Sequence, residues 1–127
     1  MMTRIRAIDA ALTLIPIKAL LLTIGFARTL RVLEWHVRDR GTLVEPDAVT
    51  LNASARSVVA AAVLLPGRVE CLEQSLALWY LLRRRGVGAE LTFGMRQYPF
   101  GAHAWVTYHG EPLNEDREAL RHYVAFA

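Results

Sequence analysis

Cys71 and His103 are the residues of this chain whose types and order best suit chemistry. Cys71 is the sole cysteine and opens a segment, Cys71 to Arg85, whose apolar residues recur with helical spacing. His103 lies within Ala102 to Tyr108, where alternation predicts a strand. A thiol attacks as its thiolate, and an ordinary pKa of about 8.5 leaves little thiolate at neutral pH. A helix N-terminus favours that negative charge, because its first N–H groups are unpaired and its peptide dipoles are aligned. The same N–H groups can hold a tetrahedral oxyanion, with the backbone N–H of Cys71 as the first donor. An imidazole brought over the helix start would take the thiol proton and later give one to a leaving amine. A third group must steady its other ring nitrogen. Asn114, Glu115 and Asp116 follow the His109-Gly110 turn. A hairpin there would bring Glu115 or Asp116 beside the His103 strand.

Taken singly, each residue has a plainer reading. Free cysteines are commonly buried and inert, and lone histidines are commonly satisfied core or surface groups. The ordered set is more specific than its members: cysteine at a helix start, histidine on a strand, carboxylate past the next turn.

These residues need elements to position them. Residues 1–40 read as helix in two pieces, with Pro16 as the expected kink or restart. Ala10 to Ala27 is nearly all apolar, which approaches the roughly 17 to 20 residues of a membrane span. Lys18 near its centre opposes a span, at about 2.5 to 3.5 kcal/mol. Arg4 and Arg6 before the apolar run resemble the start of a signal peptide, but the helical pattern continues through Arg28 to Arg40. The reading adopted is a helix buried on several sides or facing a partner. Leu30, Leu33 and Val37 then mark the apolar face of an amphipathic helix, with Trp35 and His36 upon it. His36 is expected to be a solvated or packing histidine.

A further helix reaches Leu65 and is stopped by Pro66-Gly67. Gly86 suits the residue after the Cys71 helix, because it tolerates positive φ. The Arg83-Arg84-Arg85 run sits where cations complement a helix's carbonyl end. Ala89 to Met95 alternates as a strand, Gln97 to Gly101 is a turn, and Glu111 to Asn114 is a short third strand. Asp116 to Phe126 closes the chain as a helical or irregular segment. Trp79 and Trp105 are expected in the core, and Ser75 bonded to its own helix backbone.

Composition bounds the rest. The 127 residues suffice for one domain. The net charge of +3 is mild and dispersed, with no basic stripe and no zinc-ligand spacing, so nucleic-acid binding is not expected. A single cysteine permits no internal disulfide and fits a reducing compartment.

The run Cys71-Leu72-Glu73-Gln74-Ser75-Leu76-Ala77-Leu78 resembles the Cys-Leu-x-x-Ser-Leu-Ala-Leu signature of the lasso peptide leader peptidases. These belong to the transglutaminase-like superfamily of papain-type cysteine proteases. The similarity continues through Leu81 to Gly86, the Leu91 to Arg96 strand, His103-Ala104-Trp105-Val106 and Pro112-Leu113-Asn114-Glu115. It covers roughly residues 55 to 126.

The resemblance implies an α+β fold, with a nucleophile helix on a small antiparallel sheet and a helical N-terminal region. It divides a single domain, 1–127, into a helical part, 1–50, and a protease-like core, 55–126. It implies removal of the leader from a ribosomally made lasso precursor peptide by a Cys-His-Asp triad, without a cofactor. By position Cys71 is the nucleophile and His103 the base. The family's aspartate falls on Glu115 with Asp116 beside it, a departure that leaves the third member between the two. Some members carry a fused leader-recognition domain, and this chain has no room for one. It is therefore expected to be the split form, working with a separate leader-recognition protein, the precursor peptide and the cyclising ligase of the pathway. The implied location is the cytoplasm, with the apolar N-terminus as a means of membrane association. Two other functions fit the same residues: a non-catalytic peptide-binding module on this scaffold, and an acyl transferase passing the acyl-enzyme to an amine.

Overall fold

In the computed structural model of the protein, residues 4–38, 44–65, 71–96, 101–113, 117–121 and 123–125 are described. The first helix, α1 (Ala7–Ile24), starts at a carboxylate: Asp9 Oδ2 accepts from the Arg6 N–H at 3.1 Å. Pro16 lies inside α1 without ending it. Proline there cannot donate to the carbonyl of Leu12, and Leu12 faces solvent, where water can take that carbonyl. The break falls instead at Gly25, whose φ of 83° is inexpensive only for glycine. The next helix, α2 (Phe26–Val37), follows at once. The restart is therefore set by Gly25 and not by Pro16.

Burial of α1 is confined to one side. Ala10, Leu14 and Ile17 form one buried stripe, while Ile8, Leu12, Ile15 and Leu22 are exposed. On α2 the buried residues are Thr29, Leu33 and Val37, the last two on the expected apolar face. The third helix, α3 (Ala48–Leu64), is capped by Asp47, whose Oδ1 accepts from the Thr50 N–H at 2.7 Å. Buried Ser54 accepts from the Ile5 N–H at 3.0 Å, which ties the entry of α1 to α3.

The fourth helix, α4 (Cys71–Arg84), is the centre of the molecule. Ser75 through Trp79, Leu81 and Leu82 are all buried. Helices α1, α2 and α3 and the sheet all pack against it. Its end is a glycine cap: Gly86 has φ 84°, its N–H reaches the Arg83 carbonyl, and the Val87 N–H reaches the Leu82 carbonyl. Arg85 accepts a role beyond the dipole, pairing with Asp9 at 3.6 Å and joining the end of α4 to the start of α1.

The chain then doubles back as β1 (Glu90–Arg96) and again as β2 (Gly101–Tyr108), followed by β3 (Glu111–Pro112), a one-turn helix α5 (Arg117–Leu120) and β4 (Val124–Ala125). The sheet is antiparallel with order β3-β2-β1-β4. The closing segment, expected to be helical or irregular, thus contributes an edge strand beside β1. Leu91, Val106 and Tyr108 lean on the core that surrounds Leu76 and Leu82. The fold is α+β.

Candidate active site

The candidate residues Cys71 and His103 lie at the start of α4 and in the first half of β2. Strands β1 and β2 are antiparallel, and both pack against α4. The Leu113 N–H donates to the Val106 carbonyl at 2.9 Å, so Val106 turns its backbone polar groups toward β3. Ala104 has the same parity along the strand and points to the same edge. Among the described residues β3 pairs with β2 only at Thr107 and Tyr108. Ser75 covers the stretch beyond: its fully buried Oγ donates to the Ala104 carbonyl at 2.9 Å. The expectation that Ser75 bonds only within its own helix is therefore corrected. Its hydroxyl ties the first turns of α4 to the edge of β2, where a buried carbonyl would otherwise lack a partner.

Cys71 is the first residue of α4. Cys71 and Ser75 are about one turn apart along α4. The sheet face that packs against the α4 core carries Leu91, Val106 and Tyr108, and His103 belongs to the opposite face.

His103 is half-buried on β2, on the face with Trp105 and Thr107 and away from Val106. Its ring stacks on Trp105 with centroids 5.9 Å apart and meets Tyr123 at 5.6 Å. Trp105 and Tyr123 also meet, at 6.2 Å. Trp79 joins the main core as expected. Trp105 is equally buried but lies against the histidine, so its setting is local to the site. Tyr123 was not singled out from the sequence, since nothing in its neighbourhood signals a partner twenty residues earlier. Glu115 and Asp116, the candidates for the third member, and Asn114 lie outside the described residues. So does the Gln97 to Phe100 turn.

Other features fall away from this site. His36 packs on Trp35 and Tyr80, at 5.3 and 6.5 Å, beside a groove of about 300 Å³ between α1 and α2. Among the described residues no cluster of three or more histidine, cysteine or acidic side chains suits a metal ion.

The match to known proteins follows this architecture. Residues 11–126 match the transglutaminase-like superfamily. The chain belongs to that superfamily. A transglutaminase-like chain of this kind is also similar, at 39% identity over 46 residues, to the microcin J25-processing protein McjB of Escherichia coli. That segment is 36% of this chain and 22% of McjB, so the match spans about a fifth of the relative's length. No solved structure matches.

Proposed function

We propose that this transglutaminase-like protein is a cysteine peptidase that removes the leader from a ribosomally made lasso precursor peptide. The observation that carries the reading is the Ser75–Ala104 hydrogen bond, which ties the helix that begins at Cys71 to the strand that carries His103. Similarity to a microcin-processing protein supports the substrate class. In this reading His103 takes the Cys71 proton, and the thiolate sulfur attacks the scissile carbonyl carbon. The oxyanion is held by N–H groups at the start of α4. As the C–N bond breaks, the imidazolium gives its proton to the leaving amine, and an acyl-enzyme remains. Water then attacks, losing a proton to His103, and the C–S bond breaks to release the carboxylate and the thiol. Glu115 or Asp116 orients the imidazole.

The unit proposed is 1–127, with 55–126 as the peptidase core and 1–50 as its helical support. A separate leader-recognition protein delivers the precursor, and the cyclising ligase receives the product. The setting proposed is the cytoplasm, with α1, a helix of 18 residues apolar enough to cross a membrane by composition, available for membrane association.

The test is reconstitution with the recognition protein and precursor, read by mass spectrometry. Cys71→Ala is expected to lower cleavage at least about a thousandfold, and iodoacetamide to label Cys71 and stop the reaction. Full activity in either sample overturns the nucleophile. Products bearing an added amine in place of water would favour the acyl transferase. Binding of the precursor with no cleavage by the wild-type chain would favour the peptide-binding module. Glu115→Gln is expected to slow turnover more than Asp116→Asn; the opposite order would assign the orienting role to Asp116.

A further inference from the structure

We propose that Tyr123 is a positioning residue for the His103 imidazole, closing an aromatic enclosure whose other wall is Trp105 and whose floor is the bare backbone at Gly94. The inference rests on the peptidase reading and extends it to a residue far from the Cys-His pair in sequence.

Three rings meet pairwise at 5.6 to 6.2 Å, within the 4.5 to 7 Å range over which aromatic pairs attract. Tyr123 lies 41° from the plane of the imidazole and Trp105 lies 30° from it. Gly94 is directly opposite His103 in the β1–β2 ladder. A side chain there would stand beside the imidazole on the same face. The indole occupies that space instead. A Cβ built on Gly94 would lie 2.5 Å from Trp105 Cη2, 2.8 Å from Cζ3 and 3.2 Å from Tyr123 Cβ. The absence of a side chain at Gly94 is thus what admits both rings to the histidine.

Tyr123 is held in turn. Gly94 and Met95 pair with Ala125 and Val124 of β4, immediately after it, and its N–H donates to the Leu120 carbonyl at 2.9 Å. The Arg96 guanidinium lies 5.2 Å from the phenol ring centroid, a cation–π contact. Two short elements, α5 and β4, therefore deliver one aromatic ring to the histidine. An imidazole on a strand has two side-chain torsions, and a general base is effective only in the orientation that reaches its proton. Tyr123 and Trp105 restrict those torsions by their contacts with the imidazole.

Tyr123→Ala, Tyr123→Phe and Gly94→Ala would be compared with wild type in two ways. In the reconstituted cleavage, Tyr123→Ala is expected to lower kcat about ten- to a hundredfold, the loss typical of a misplaced catalytic group, with KM within about twofold. Tyr123→Phe should restore kcat, because the ring and not the hydroxyl makes the contact. Gly94→Ala should resemble Tyr123→Ala. In NMR spectra of the protein without peptide, the His103 ring protons should lose the ring-current shift of the tyrosine in Tyr123→Ala and keep it in Tyr123→Phe. Wild-type kcat in Tyr123→Ala, or unmoved His103 resonances, overturns the proposal while leaving the Cys71 assignment to its own test. If the wild-type chain cleaves nothing, the peptidase reading falls and the resonances alone judge the enclosure. Should Tyr123→Ala fail to fold, Tyr123→Leu, which keeps apolar bulk but no ring, carries the same comparison.

Discussion

Helices α1 and α4 are both rich in leucine and both lie at the heart of sequence arguments about this chain, yet they are buried very differently. Leu76, Leu78 and Leu82 of α4 are wholly buried on several sides. On α1 only the Ala10, Leu14 and Ile17 stripe is buried, and Leu12 remains 65% exposed. Hydrophobicity alone would rank α1 as the more interior helix. The reverse holds because α4 has neighbours all round, three helices and a sheet, whereas α1 packs on α2, α3 and α4 from one side. Burial follows from how many elements can surround a helix, and the helix that carries the candidate nucleophile is the one most completely surrounded.

The contrast can be broken by truncation. Leu82→Ala should cost about 2 to 5 kcal/mol, since it removes a wholly buried side chain and leaves a cavity. The denaturant midpoint measures this. Equal losses for Leu82→Ala and Leu12→Ala would mean that the two helices are not buried as described. Ser75→Ala comes next, at about 1 to 3 kcal/mol, because the Ala104 carbonyl would keep its burial and lose its donor. That variant also sharpens the comparison. A loss of activity larger than its loss of stability would show that the bond positions the helix start as well as holding it.

Asp47→Ala should lower the melting temperature of the protein only slightly, through the lost cap on α3. The Thr50 hydrogen bonds hold the Asp47 carboxyl below its ordinary pKa of 3.8. Its contribution is therefore fully present above the unfolded-state value and is lost as pH falls through the lowered folded-state value. The difference in melting temperature between wild type and Asp47→Ala should shrink over that acid range; a constant difference would exclude the carboxylate as the cap. Smallest of all, Leu12→Ala should change stability by no more than about 0.5 kcal/mol, as exposed substitutions do.

Much of the architecture was legible in local pattern. The change from helical to alternating spacing after Gly86 located α4, β1 and β2, and Gly86 caps α4 as its φ requires. The proposed Cys71 and His103 pair rests on residue type and order along the chain. Three features were not legible in local pattern. Gly25 breaks the first helical region although Pro16 is the stronger local breaker, because the Pro16 fault faces water and is tolerated there. The Val124-Ala125 strand is too short to show alternation and exists only because β1 offers it an edge. Tyr123 reaches His103 only through that pairing.

The sequence by itself determined α4, β1, β2 and the order in which a thiol and an imidazole come along the chain, because periodicity and caps act over a few neighbouring residues. The tertiary structure decided which carbonyl Ser75 would satisfy, 29 residues away, and which ring would lie against His103. Those outcomes depend on strand pairing and on space left by Gly94, and neither is written in any local run of residues.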